Sequence, residues 1–342
     1  QYRQGETFVL TRNPYFHQWS FAAQPAGYPD TIQWVKTPDF ASAIADVLAG
    51  HTDLVRLPDW RNASVTQQQT EQVQRQHPAQ LHTENPFTLT WTYLNTRVPP
   101  FNDVRVRRAV NYAVDRRTVV QIYGGATRAT PTCQLLPPDF PGYQPYCPYS
   151  TAPADSPYAG PNLGKARALV AASGTRGMAV AVTGPDDPVS HATNTYLVGV
   201  LRSLGYTARL HQLTSNDWYG LVGDPKAQWQ ILQGTGWGAD YPAPSDFYLN
   251  LFSCAATQGP GVLAGRGCNA RLDALADDAY HAQATDPRAA RAMWATVDRK
   301  LTDDAPFIAL VNTLEATIVS ERVGNYQSSP QLGPLLSQIW VR

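Results

Sequence analysis

An α/β fold is predicted by three features of the chain. Between Gly164 and Gln233, helix and strand signals alternate in short units, the pattern of a sheet with helices on its faces. The first ninety residues alternate in the same way. The chain then ends with two helices followed by two apolar strands.

Taken in order, Thr7–Arg12 and Thr31–Lys36 read as strands. Phe40–Ala49 has a helical apolar period, stops at Gly50 and leads into a strand at Asp53–Leu57. Gln67–Gln76 is polar and reads as a surface helix, and Thr88–Leu94, rich in β-branched and aromatic residues, as a strand. The Pro99-Pro100 pair interrupts the pattern, after which Asp103 N-caps a long helix from Val104 to about Arg117. Val106, Ala109, Val110 and Ala113 form its apolar stripe, and Arg105, Arg108 and Arg116 lie off it. Residues 129–162 are irregular and rich in Pro and Tyr; a loop of that length is usually functional or pinned. Gly164–Ala172 is a helix, Met178–Thr183 a strand and Ala192–Leu204 a helix closed by Gly205. Tyr206–Leu213 is a strand, Asn216–Leu221 a short helix and Trp229–Gln233 a strand. Two helices, Ala270–Ala284 and Pro287–Asp303, precede strands at Phe307–Asn312 and Glu315–Ser320.

At 342 residues the chain can bury a large core, and length alone suggests two or three structural units. Its 27 basic and 27 acidic residues balance, which leaves no field to attract nucleic acid or an anionic membrane. Charged residues are only 16%, while 9 Trp and 17 Tyr are many; such a number of rings suits either an aromatic-lined cleft or an aromatic-rich core. No apolar run is long enough to read as a membrane-spanning helix. The opening residues read as the middle of a domain without a signal peptide, so membrane attachment is expected only through an N-terminal anchor that this sequence lacks.

The four cysteines form two local pairs, Cys133/Cys147 and Cys254/Cys268, each enclosing 13 residues rich in Pro or Gly. Of the three possible pairings the local one is favoured, and each bridge would stabilise by roughly 3 kcal/mol on the loop-entropy model. Disulfides imply an oxidising compartment; four buried thiols in a cytosolic protein are the other reading.

No GxSxG, HExxH, GxxxxGK[ST] or GxGxxG motif occurs. The seven histidines are scattered without metal-ligand spacing, and Asp186-Asp187, Asp277-Asp278 and Asp303-Asp304 read as solvated charge. No catalytic group, metal or cofactor is therefore expected. Arg105-Val106-Arg107-Arg108 is one basic turn on a neutral chain, too little for a nucleic-acid site.

Four segments, in order and spacing, resemble the ABC-transporter extracellular solute-binding proteins of family 5, the oligopeptide, dipeptide and nickel binders. Gly5-Glu6 with Leu10-Thr11-Arg12-Asn13-Pro14-Tyr15-Phe16 resembles the family's first strand and turn. Tyr28-Pro29-Asp30-Thr31-Ile32 with Ala49-Gly50-His51-Thr52-Asp53 resembles the stretch that follows. The most specific is Leu94-Asn95-Thr96 with Pro99-Pro100-Phe101-Asn102-Asp103-Val104-Arg105-Val106-Arg107-Arg108-Ala109-Val110-Asn111-Tyr112-Ala113-Val114-Asp115-Arg116. The fourth, Gly236-Trp237-Gly238-Ala239-Asp240-Tyr241-Pro242-Ala243-Pro244, is similar to the family's ligand-facing "W..DYPDP" loop, with Ala243 in place of its second Asp. No basic residue stands just ahead of Trp237, a second departure that bears on peptide specificity.

The resemblance implies a two-lobed periplasmic-binding-protein-like fold (type II, cluster C) with the first lobe incomplete. Residues 1–94 and 311–342 would belong to that lobe and 95–310 to the second, with crossings near Leu94–Thr96 and Leu310–Thr313. Short extended crossings can absorb the backbone rotation of a closing clamp. It also implies that Trp237, Asp240, Tyr241 and Asn95 line an interlobe ligand site. Trp237 and Asp240 follow the strand Trp229–Gln233, where open α/β sheets place ligands. An indole supplies apolar area and a carboxylate the countercharge for an ammonium group. A turn or N-cap role before Pro242 is the other reading of Asp240.

The expected function is the solute-binding component of an ABC importer. It would be an extracytoplasmic, monomeric, non-catalytic protein that captures a peptide-like or other small polar ligand for an ABC permease. A ligand-sensing module of a larger regulatory protein with the same fold is the alternative, against which the cysteine pairs argue. A hydrolase with dispersed catalytic groups is disfavoured by the lack of any nucleophile motif.

Overall fold

The computed structural model describes residues 2–3, 7–20, 26–37, 39–59, 61, 67–224, 226–234, 236–256 and 269–342. They divide into two units: a larger one, Trp60–Ser64 with Phe87–Thr313, and a smaller one assembled from Gln1–Asp59, Val65–Pro86 and Leu314–Arg342.

The smaller unit opens with β1 (Tyr2–Arg3), β2 (Thr7–Thr11) and β3 (Thr31–Val35), an antiparallel ladder with Leu10 opposite Ile32. Helix α1 (Phe40–Leu48) is N-capped by the Asp39 carboxylate and followed by Gly50 at φ 75°, a left-handed residue that stops the helix. β4 (Leu54–Arg56), α2 (Gln67–Gln76) and β5 (Leu81–Glu84) complete this pass.

The chain then builds the larger unit from β6 (Thr88–Leu94), α3 (Val104–Ala113), α4 (Arg116–Ile122), β7 (Ala129–Pro131), α5 (Leu163–Ser173), β8 (Ala179–Pro185), α6 (Pro188–Ser203) and β9 (Thr207–Leu213). It continues through α7 (Ser215–Gly223), β10 (Ile231–Gln233), β11 (Trp237–Gly238), α8 (Ser245–Leu251), α9 (Ala270–Thr285), α10 (Pro287–Asp304) and β12 (Phe307–Thr313). On its return to the smaller unit β13 (Glu315–Val319) pairs antiparallel with both β4 and β5, over a core that includes Ile44, Val47, Val55 and Ile318. β14 (Val323–Gly324), β15 (Ser328–Ser329), β16 (Gly333–Pro334) and β17 (Trp340–Val341) end the chain, β14 pairing with β17 and β15 with β16.

Strands of the larger unit follow the order β7-β12-β6-β10-β8-β9, with β11 added to β6. β8, β9 and β10 are parallel, and the pairings of β6 and β12 are antiparallel. Side-chain alternation along β6 separates two cores. Leu89, Trp91 and Tyr93 face Phe247, Leu251, Leu272, Trp294 and Leu301 of α8, α9 and α10. Leu94, with Val182, Ile231 and Ile308 of neighbouring strands, faces Val110, Val170, Leu197 and Leu201 of α3, α5 and α6. The unit is a three-layer α/β/α sandwich. β6 and β12, near whose ends the crossings were expected, belong wholly to it and pair with each other; the chain changes unit at Pro86–Phe87 and Thr313–Leu314.

The helix expected from Val104 to about Arg117 is two helices. Val114 is extended, and the Asp115 carboxylate caps the second through the Arg117 N–H at 3.0 Å. This break turns Arg116, which helical periodicity placed off the apolar stripe, into the core, where it is fully buried. Its guanidinium donates to the carbonyls of Thr132 (2.7 Å), Ala309 (2.8 Å) and Asn111 (3.1 Å) and to Asn111 Oδ1 (3.1 Å). It also lies 5.5 Å from the Tyr158 ring centroid. One side chain thus ties α3, β12 and the segment after β7 together. Arg107 works similarly, donating to the carbonyls of Phe101 and Asp304.

The irregular stretch after β7 is pinned twice. Cys133 and Cys147 form a disulfide, as the spacing suggested. Cys254 is also disulfide-bonded, while Cys268, its expected partner, lies outside the described residues. The second pin is Asp298 of α10, which accepts hydrogen bonds from Gln134 Nε2 (2.6 Å) and from the Leu135 and Leu136 N–H groups (2.9 and 3.4 Å). Burial pushes the Asp298 carboxyl up to about 6, against the pull of those donors.

Arg116→Lys keeps the charge, but one ammonium cannot span acceptors on three elements. Urea unfolding should show a loss of about 3–5 kcal/mol, and a loss below about 1 kcal/mol would show the network to be incidental. For Asp298 the folded-state value of about 6 lies above the unfolded 3.8, so folding favours the neutral carboxyl. That contribution is complete below pH 3.8 and disappears as pH rises through about 6, a change of about 3 kcal/mol. Asp298→Asn should therefore flatten the stability profile across this window relative to wild type; parallel profiles would contradict the assignment.

Candidate ligand-binding loop

β10 ends at Gln233, and the next residue has to be glycine. The Trp91 indole fills the space beside Gly234, its Cε2 only 2.8 Å from where a Cβ would stand. Gly236, at φ 90°, turns the chain so that Trp237 and Gly238 pair back onto β6 opposite Leu89 and Thr88. Ala239–Pro244 then lead into α8, with Pro242 and Pro244 restricting the path.

The loop is fastened from below by Asp246, a residue in the first turn of α8 with no exposed surface. Its Oδ2 accepts from Trp237 Nε1 (3.1 Å) and from the Asp240 N–H (2.9 Å), and its Oδ1 from Asn250 Nδ2 (3.1 Å). Burial raises its pKa, an effect that the three donors oppose and the neighbouring Asp240 charge adds to. Sequence reasoning missed Asp246. The available signal was an acidic residue in the first helical turn after a proline, an N-terminus marker that also suits the helix dipole.

Because Asp246 holds the loop, the Asp240 carboxylate is not engaged in bracing it. Its N–H is taken, but its side chain is exposed, and among the described residues its carboxylate has no hydrogen bond or ion pair. The cap position of α8 is Pro244, without a side-chain cap bond, so the Asp240 carboxylate does not cap that helix. Trp237 is half-buried with its indole N–H on Asp246, and Tyr241, 44% exposed, accepts a long 3.4 Å bond from the Ser245 hydroxyl. The loop thus carries an unpaired carboxylate and, on either side of it in sequence, two rings, groups suited to an organic cation.

Asn95 does not join them. Its side chain is buried at the far end of β6, donating to the Trp229 carbonyl (2.8 Å) and accepting from the Arg97 N–H (3.1 Å). Trp237 stands opposite Leu89, six residue steps or about 20 Å along the strand from Asn95. Asn95 secures the turn after β6. A pocket of about 590 Å³ lies elsewhere in the unit, lined by Pro99, Thr183, Arg209, His211, Trp229 and Gln230 among others. Gln230 stands just before β10 and the loop departs after it, so this pocket is separate from the loop. Among the described residues no cluster of three His, Cys, Asp or Glu side chains could hold a metal, and no helix is long and apolar enough to cross a membrane.

Known proteins resemble this chain along most of its length. Residues 1–259 match the family model described as bacterial extracellular solute-binding proteins, family 5 Middle. The probable di/tripeptide-binding protein 5 of Pseudomonas aeruginosa is 24% identical over 316 residues, covering 91% of this chain and 55% of that protein. Heme-binding protein A of Haemophilus influenzae is 26% identical over 309 residues, 86% of this chain and 50% of that protein. The chain therefore spans about half the length of these curated relatives. Among solved structures, clavulanic acid biosynthesis oligopeptide binding protein 2 superposes with a TM-score of 0.83 at 24% identity, over all of this chain and 62% of that one. A dipeptide binding protein from Pseudoalteromonas sp. SM9913, solved in complex with Met-Leu, gives 0.67 at 19% identity, over all of this chain and 63% of that one. The fold is accordingly the two-lobed periplasmic-binding-protein type, and the chain belongs to the family 5 bacterial extracellular solute-binding proteins.

Proposed function

We propose that this chain is part of the solute-binding component of an ABC importer, and that it holds a peptide-like ligand by its ammonium group at Asp240. The observation that carries the reading is the exposed, unpaired Asp240 carboxylate on a loop whose bracing is done by Asp246. Trp237 and Tyr241 supply ring surface on either side of it in sequence. The names of the relatives, di/tripeptide-binding and dipeptide-binding among them, support a short peptide, whereas the heme-binding relative and Ala243 leave the side-chain preference to the rest of the pocket. The Cys133–Cys147 bridge favours an oxidising, extracytoplasmic compartment. In this role the protein releases its ligand unchanged to a permease and catalyses nothing.

A charge-assisted bond of this kind contributes roughly 1.5–3 kcal/mol. Titration calorimetry of the full-length protein with Met-Leu should show Asp240→Asn binding about ten to a hundred times more weakly, with an unchanged melting temperature. N-acetyl-Met-Leu, which lacks the ammonium, should bind wild type and variant alike. A destabilised variant with wild-type affinity for Met-Leu would return Asp240 to the turn residues.

A further inference from the structure

The cleft of about 590 Å³ in the larger unit opens where the sheet is incomplete. β8 begins at Ala179, but its parallel neighbour β10 begins only at Ile231, opposite Val182. The first residues of β8 therefore have no strand on that side, and the Gln230 side chain stands in for one. Its amide oxygen accepts from the Ala181 N–H (2.8 Å), and its nitrogen donates to the carbonyls of Ala179 (3.1 Å) and Pro99 (3.0 Å). One amide thus satisfies the β8 backbone without the bulk of a strand, and ties the turn after β6 to the same point.

Strand register sets the floor of the cleft. Ala181 pairs with Arg209 and Thr183 with His211 across the parallel β8–β9 ladder, and residues two apart on a strand share a face. These four side chains therefore stand on one face of the sheet, and all four line the cleft. Val98, Pro99 and Trp229 give it an apolar wall, and among the described residues no Asp or Glu lines it. Two floor residues carry donors that the fold does not use. Arg209 is exposed on the edge strand, and among the described residues its guanidinium has no hydrogen bond or ion pair. An exposed arginine by itself is ordinary; this one belongs to a concave surface without an acid. His211 Nδ1 lies 3.4 Å from the Thr183 hydroxyl. A hydroxyl that donates to Nδ1 holds the imidazole with its proton on Nε2, so the neutral ring offers a second donor.

We propose that this cleft is a second binding site, separate from the Gly234–Pro244 loop, for a small organic monocarboxylate with an apolar body. The Arg209 fork takes the carboxylate, His211 adds a hydrogen bond, and the body lies against Val98, Pro99 and Trp229. Charge and size narrow the class. A cation finds no countercharge here, and a neutral apolar molecule would desolvate the guanidinium without pairing it. An inorganic anion would leave the apolar wall uncovered, whereas the volume falls within the range of about 300–1,000 Å³ that small-molecule sites occupy. The site does not depend on what the loop binds.

Titration of the full-length protein with phenylacetate, followed by saturation-transfer NMR, tests the site. Run with and without saturating Met-Leu, it reads this cleft whether or not the loop takes a peptide. Saturable binding that Met-Leu does not displace is the expected result. Arg209→Gln, a change at an exposed position, should weaken phenylacetate about tenfold with the melting temperature and any Met-Leu affinity as in wild type. Phenylethanol, a similar body without the charge, should bind wild type at least about tenfold more weakly than the acid does. Equal binding of acid and alcohol, equal binding by wild type and Arg209→Gln, or no saturable binding of phenylacetate would overturn the proposal. Competition between phenylacetate and Met-Leu would overturn it too, because the acid would then occupy the peptide's site.

Discussion

The Arg116 guanidinium organises the larger unit. A buried charge with no carboxylate beside it is tolerable only when its donors are matched, and Arg116 matches them with carbonyls from three separate elements. The consequences reach the candidate site by a short chain of contacts. Arg116 fixes the Ala309 carbonyl of β12; Ala309 stands opposite Trp91 of β6; and the Trp91 indole occupies the space beside Gly234. Gly234 begins the turn that carries Trp237 and Asp240. The loop is thus seated on the same sheet interior that the arginine holds in register.

Division of labour between two carboxylates gives that loop its chemistry. Asp246 is buried, raised in pKa by burial and engaged by an indole, a backbone N–H and an amide. Asp240 is exposed and its carboxylate is unengaged within the described residues. An acidic side chain that had to brace its own loop would have its lone pairs occupied before any ligand arrived. With the bracing done by Asp246, Asp240 stays available, and in the proposed role a rigid backbone would lower the ordering required on binding.

Periodicity and punctuation made most elements legible. Asp39, Asp103 and Gly50 mark helix ends where expected, and the alternation from α5 to β10 reads directly as strands and helices on a sheet. What escaped depends on non-local partners. Nothing local distinguishes Arg116 from the exposed Arg105 and Arg108; its burial requires acceptors at Thr132 and Ala309, distant in the chain. The break at Val114–Asp115 was hidden because Asp115 looks like an ordinary helix-surface residue until its carboxylate is seen to cap. Of the candidate loop, Trp237, Asp240 and Tyr241 were visible as a motif; that Asn95 stands at the opposite end of β6 and that Asp246 braces the loop were not. Strand registers, which decide both, leave little trace in residue type.

The separation of roles between Asp240 and Asp246 is the claim on which the functional account stands. A crystal structure of the full-length protein with bound Met-Leu examines it most directly. The account predicts the ligand ammonium within about 3 Å of an Asp240 carboxylate oxygen, with the Trp237 indole N–H still on Asp246. An ammonium bound elsewhere, or an indole released from Asp246 to contact the ligand, would contradict it.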